Sequence, residues 1–137
     1  MFDFKFEGNL AADAEFHFTP TGKAVTTLRV AHNTRRRNAK GEWSDGPTMW
    51  VRVTAWEKLA ENTSELRKGD TVIIDARDVT ARAYLNEGKA EAQLEATANT
   101  VALSMRYAGA TSTRGAKTTA DDEDRWSTEN LREPEHV

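Results

Sequence analysis

The sequence predicts an all-β domain: a five-stranded Greek-key barrel, one short helix between strands three and four, and a disordered acidic tail. Three observations carry this. Apolar residues alternate with polar ones, turn residues punctuate the alternation, and only one stretch has helical spacing.

Phe2, Phe4 and Phe6 alternate with Asp3, Lys5 and Glu7, the period of a half-buried strand. Gly8-Asn9 permits a bend, and Phe16 and Phe18, alternating with Glu15 and His17, continue the sheet. Thr19 to Gly22 (TPTG) places Pro second and Gly fourth, a β-turn signature. A second strand runs from Ala24 to about Asn33, with Leu28 and Val30 as core positions. The polar stretch TRRRNAKGEWSDGP then reads as a long basic loop leading into a third strand, MWVRVTAWEK (Met49 to Lys58). Leu59, Thr63 and Leu66 follow at helical spacing, with acids early, Arg67-Lys68 late and Gly69 as a stop. The fourth strand, DTVIIDARDVTARAYL, puts Val72, Ile74 and Ala76 on one face. Asn86 to Gly88 makes a hairpin turn into an alanine-rich closing strand. That order is the order of the OB-fold, in which the helix plugs one end of the barrel. An open β-sandwich or a β-grasp would satisfy the same periodicity. The domain is expected to span residues 1–107. Residues 108–137, rich in Ala, Thr, Gly, Ser and acids, hold too little apolar surface to offset chain entropy.

Composition narrows the function. No run of about 18 apolar residues exists, so no membrane partner is expected. The acidic start MFDFKFEGNL argues against a signal peptide. With 0 Cys, thiolate metal sites and disulfides are excluded, and a reducing cytoplasm is the expected home. The formal charge is −3, but residues 1–107 balance at 15 Lys+Arg against 15 Asp+Glu, and the tail supplies the whole excess. Arg29 to Lys58 holds 7 basic residues against 3 acidic, a local stripe that a solvated charged loop would also explain.

The third strand has two buriable faces. Val51, Val53 and Ala55 suit the inside of a narrow barrel, whereas an unpaired buried Arg52 would be too costly. Trp50, Arg52 and Trp56 therefore point outward. Exposed aromatics along a strand can stack flat bases at roughly 1–3 kcal/mol each, whatever the sequence. Arg52, with Arg29, Arg35, Arg36, Arg37 and Lys40 from the stripe, can neutralise phosphates and release counterions. Duplex DNA hides its base faces, so this layout selects single strands. A subunit interface covering one or both tryptophans is the competing reading.

Glu7 to Asn33 (EGNLAADAEFHFTPTGKAVTTLRVAHN) resembles the opening of bacterial single-stranded DNA-binding proteins. Gly41 to Trp43 (GEW), the strand from Trp50 to Trp56, KLAENTSELRKGDTVII and Ser104 to Ala108 (SMRYA) match the family's later segments in order. The resemblance implies an OB-fold that binds and wraps single-stranded DNA without sequence preference and without catalysis. It implies work in replication, recombination or repair, in the cytoplasm at the nucleoid. It also implies a homotetramer, or a dimer. Trp50 and Trp56 fall at base-stacking positions of the family, Trp43 lies in the matching GEW, and Tyr84 sits where the fourth-to-fifth strand hairpin carries an aromatic. Arg36 or Arg37 falls near a loop position that is commonly aromatic, and a guanidinium plane can also stack.

Departures are equally legible. The hairpin that is often basic in the family has Arg82 and Lys89 offset by Glu87 and Glu91, and Ala76-Arg77-Asp78 replaces a small glycine-containing turn. The chain ends LREPEHV, not in an acidic tip closed by an aromatic; Asp121 to Asp124 and Trp126 form an internal cluster instead. This points to a paralogue or mobile-element version whose tail recruits different partners or none. An enzyme is disfavoured: His17, His32 and His136 share no metal-ligand spacing, no cofactor is implied, and no phosphate loop or nucleophile motif stands out. The remaining alternative is an OB-fold module for protein assembly or RNA binding with weak DNA affinity.

Overall fold

In the computed structural model, residues 2–113 are described. Asp121 to Asp124, Trp126 and the C-terminal LREPEHV lie outside the described residues. Six β-segments and one helix follow in order: β1 (Asp3–Leu10), β2 (Glu15–Phe18), β3 (Ala24–Arg37), β4 (Trp43–Trp56), α1 (Glu57–Thr63), β5 (Thr71–Asn86) and β6 (Lys89–Leu103). The sheet order is β1-β5-β6-β4-β3-β2, and a further β1–β3 pairing closes β1, β5, β6, β4 and β3 into a barrel. These are the five expected strands. The short β2, expected to continue the sheet, pairs only with β3 as a flap.

The pairings are antiparallel except β4–β6, where Val51 to Thr54 run beside Leu94 to Thr97 in parallel. Closure is narrow, through Asn9↔Ala31 and Leu10↔Val30. Gly8 permits it: a Cβ there would come within 2.6 Å of Val30 Cγ1 and 2.7 Å of the Ala31 carbonyl oxygen. The core is aliphatic, with Leu28, Val30, Val53, Val72 and Ile74 each at 0% exposure. Each such side chain contributes about 1.5–3 kcal/mol on leaving water.

At one end the helix forms the plug. Ala60 is fully buried, and Thr26 Oγ1 donates to the Ala60 carbonyl at 2.6 Å. The sequence spacing implied a helix reaching Leu66, but it stops at Thr63. Thr63 and Ser64 turn their hydroxyls back onto the Leu59 and Glu61 carbonyls, a local competition that favours helix ends. Leu66 still packs against the core, from the turn that follows.

Two hairpins run beyond the barrel. The β3–β4 connection, expected as a long basic loop, is a correction: both strands continue through it and leave only Asn38 to Glu42 as a turn. Asn38 Oδ1 accepts from the backbone N–H groups of Lys40 and Glu42, both at 2.9 Å, which closes the turn. A register shift between Asn33 and Arg35 sits opposite Gly46, where any Cβ would collide with Thr34 Oγ1. The β5–β6 hairpin turns through Glu87 and Gly88, both at positive φ (52° and 80°), the pattern of a two-residue hairpin loop.

Candidate nucleic-acid interface

Burial along β4 follows its alternation. Val51, Val53 and Ala55 are at 2%, 0% and 0%, while Trp50 and Trp56 are exposed at 37% and 39%, with Arg52 exposed between them. On β3, Arg29 lies directly opposite Arg52 and reaches over Trp50, its Cζ 5.5 Å from the ring centroid. Two like charges face to face across an antiparallel pair destabilise the sheet by themselves. On its other side Arg52 is in register with Glu95 of β6.

The basic residues of the stripe sit along one ribbon, the β3–β4 arm. Arg35, Arg36 and Arg37 pair in register with Asp45, Ser44 and Trp43. Arg37 also lies 5.9 Å over the Trp43 ring, which is 60% exposed near the tip, and Lys40 is exposed in the turn. Among the described residues, the ion pairs engage Lys58, Arg67, Arg77, Arg82 and Arg106. None of Arg29, Arg35, Arg36, Arg37, Lys40 or Arg52 is among them. Asp45 and Glu95 are the in-register neighbours of Arg35 and Arg52, but neither closes an ion pair with them.

The β5–β6 hairpin brings further predicted residues to the same side. Before its irregularity the inward positions of β5 are Val72, Ile74 and Ala76; between Arg77 and Thr80 the register shifts, with Asp78 at φ 54°. That left-handed residue turns the alternation over, so Arg82 and Tyr84 face outward with Glu95 and Glu91, beside the Arg52 row. Charges here are internally matched. Arg82 Nη1 lies 3.3 Å from Glu95 Oε1, and Tyr84 donates its hydroxyl to Glu91 Oε2 at 3.0 Å. The Glu91 hydrogen bond, above all, raises the Tyr84 phenol above its ordinary pKa. Lys89, at the start of β6, is opposite Asn86 and away from the tryptophans.

The face therefore gathers Trp50, Arg52, Trp56 and Arg29, continues along the β3–β4 arm to Trp43, and meets Tyr84 and Arg82 from the other side. Residue-type reasoning passed over Phe16 and Phe18 on β2, an edge-to-face pair with centroids 5.2 Å apart and 38% and 63% exposed. Their alternation with Glu15 and His17 resembles any half-buried strand, and only the flap's one-sided pairing shows them uncovered. Among the described residues no group of three or more His, Asp or Glu is gathered to hold a metal, and no helix is long and apolar enough to cross a membrane.

Against known proteins, the model of the single-strand binding protein family matches residues 1–104. The chain belongs to the single-strand binding protein family. It is 38% identical over 106 residues to the single-stranded DNA-binding protein of Paenarthrobacter aurescens, covering 75% of this chain and 61% of that one. The Mycobacterium tuberculosis H37Rv protein of the same name is 37% identical over 105 residues, covering 75% and 64%. This member thus spans less than two thirds of the length of these curated relatives. Among solved structures, the small single-stranded DNA-binding protein of Streptomyces coelicolor superposes with a TM-score of 0.63 at 26% identity, covering 76% of this chain and 94% of that one. A Thermus aquaticus single-stranded DNA-binding protein variant shares the fold, with a TM-score of 0.59 at 20% identity. Like those neighbours, this family member is a strand-built OB barrel, and its outward β4 face is the surface to account for.

Proposed function

We propose that the chain binds and protects single-stranded DNA without sequence preference and without catalysis, in the cytoplasm, where it serves replication, recombination or repair at the nucleoid. The observation that carries this is the Trp50–Arg52–Trp56 row, with Arg52 and Arg29 set against each other and neither in an ion pair. The rings offer π-faces to successive bases, and the two guanidinium groups take the phosphates between them. A polyanion relieves the Arg29–Arg52 repulsion, so the protein gains on binding what its free sheet forgoes. Arg35, Arg36, Arg37, Lys40 and Trp43 extend the track along the arm, and Tyr84 adds a platform from the opposite hairpin. Arg82 and Lys89 contribute less, because acidic neighbours offset the one and distance removes the other. As a member of this family, the protein is proposed to work as a homo-oligomer, with a tetramer as the expected form.

The test is a titration with poly(dT) followed by tryptophan fluorescence at several salt concentrations. Quenching whose midpoint weakens steeply with salt is the expected result. An unchanged spectrum would overturn the reading, and a stronger response to poly(U) would redirect it to RNA.

A further inference from the structure

Between the roots of the two arms the sheet comes open. The parallel β4–β6 ladder begins at Val51↔Leu94. Ahead of it, Thr48, Met49 and Trp50 pair with β3 alone, and Ala92 and Gln93 with β5 alone. Among the described residues no strand pairing crosses the gap, so β4 and β6 diverge as a fork. The backbone N–H and C=O groups along its two inner edges are left for another partner. A cleft of about 290 Å³ occupies the fork, lined by Thr48, Met49 and Trp50 on one side and by Ala81, Ala92 and Gln93 on the other.

The walls of this cleft suit a flat ligand. Sheet order puts β3 on one side of β4 and β6 on the other. Arg29 reaches the Trp50 ring from the β3 side, which leaves the β6 side of the ring to front the cleft. Across from it stand Ala81 and Ala92, both exposed, whose single methyl groups keep the space open. Met49 alternates with Trp50 along the strand and so lines the cleft from the opposite face of the sheet. Two polar side chains complete the lining. Gln93 Nε2 donates to Glu95 Oε1 at 3.3 Å, and the amide keeps its carbonyl oxygen and a second N–H. The Thr48 hydroxyl donates to Asn33 Oδ1 at 2.8 Å, and its oxygen still accepts. A largely apolar slot with a few polar groups is the usual form of a small-ligand site.

We propose that the fork takes one nucleobase of the bound single strand, turned out of the row of stacked bases and inserted edge-on between Trp50 and the two alanines. The inference rests on the DNA-binding reading and names a subsite within it. The surroundings choose the ligand. The cleft is continuous with the Trp50–Arg52 face, and Arg29 and Arg52, neither in an ion pair, stand beside its mouth where the phosphate must remain. The Gln93 amide and the open strand edges present donors and acceptors together, so every base finds partners and no sequence preference results. Ala81 and Ala92 become functional positions through their smallness, a role that residue type alone does not announce. Insertion also turns the strand from the β4 platform toward the β5–β6 arm.

The full chain is irradiated with an oligonucleotide of 5-iododeoxyuridine, and the cross-linked peptides are mapped by mass spectrometry. A base in the fork touches both walls, so adducts are expected on Met49 as well as on Trp50. Ala92→Leu and, separately, Ala81→Leu fill the cleft from two strands, and circular dichroism checks that each is folded. Either is expected to abolish the Met49 adduct, to keep the Trp56 adduct, and to lower affinity for the oligonucleotide at least about fivefold, the low end for one lost base contact. Ala90→Leu makes the same exchange nearer the hairpin tip, outside the cleft lining, and is expected to change neither. Adducts on Trp50 and Trp56 with none on Met49 overturn the fork and spare DNA binding. Met49 adducts that survive both filling variants, or that Ala90→Leu also abolishes, overturn it too. No adduct anywhere, together with no quenching by poly(dT), defeats the DNA reading itself.

Discussion

The two hairpin arms share a design and differ in almost everything they carry. Each continues a barrel strand pair into a ribbon closed by a tight turn, and each presents one face to the side of Trp50 and Trp56. The β3–β4 arm holds cations that form no ion pair, although Asp45 lies opposite Arg35, with Trp43 near its tip. On the β5–β6 arm Arg82 has Glu95, Tyr84 has Glu91, and the reverse side is alanine and leucine. A charge left unpaired on a folded protein is available to a ligand at no cost of disruption. A charge already paired must first give up its partner. On the proposed reading, ribbon geometry alone does not make a nucleic-acid arm; the pairing state of its cations does.

The largest effect should come from the platform at the root of both arms. Trp50→Ala with Trp56→Ala is expected to weaken poly(dT) binding by roughly 2–6 kcal/mol if each ring stacks one base, and Trp56→Ala alone by about 1–3 kcal/mol. Fluorescence anisotropy of a labelled oligonucleotide measures this, and unaltered affinity for the single variant would place Trp56 in a subunit contact instead. Next, replacing Arg35, Arg36 and Arg37 together by Gln should lower the slope of log affinity against log salt by about 2, at roughly 0.7 per lost single-strand phosphate contact. An unchanged slope would erase the distinction between the arms.

On the other arm, Arg82→Ala should cost no more than about 0.5 kcal/mol, since an exposed pair already occupies the side chain. Glu95→Gln, which frees Arg82 and removes the carboxylate beside Arg52, should tighten binding by about 0.2–1 kcal/mol. Tightening of that kind would show directly that pairing holds this arm back. The smallest effect concerns Tyr84. Its raised folded-state pKa means that the Glu91 hydrogen bond contributes fully below the unfolded phenol value of about 10 and is lost as pH climbs through the raised one. In a Tyr107→Phe background, absorbance titration of Glu91→Gln should show Tyr84 ionising at lower pH than in the parent.

Much of this was legible before any coordinates. A strand's period of two, plus the cost of burying an unpaired guanidinium, was enough to send Val51, Val53 and Ala55 inward and Arg52 outward between its tryptophans. The stretch from Thr34 to Pro47 reads as a loop in the sequence for a physical reason. Its arginines, Asn38 and two glycines have the composition of a loop, and cross-strand hydrogen bonding overrode that local preference. Leu66 has helical spacing but reaches the core from a turn, because hydroxyls at Thr63 and Ser64 ended the helix first.

Residue order by itself determined the strand faces up to Ala76, the TPTG and NEG turns, the place of the helix, and the concentration of positive charge between Arg29 and Lys58. These are local properties, set by side-chain period, turn chemistry and the cost of burying charge. Only the tertiary structure decided which way Tyr84 and Arg82 point. Continuing the alternation of Val72, Ile74 and Ala76 would have turned both inward, and one left-handed residue, Asp78, reversed it. Only the tertiary structure, too, could set Arg29 against Arg52 and give Arg82 a carboxylate 13 residues away, since pairing between strands is a non-local choice that no period encodes.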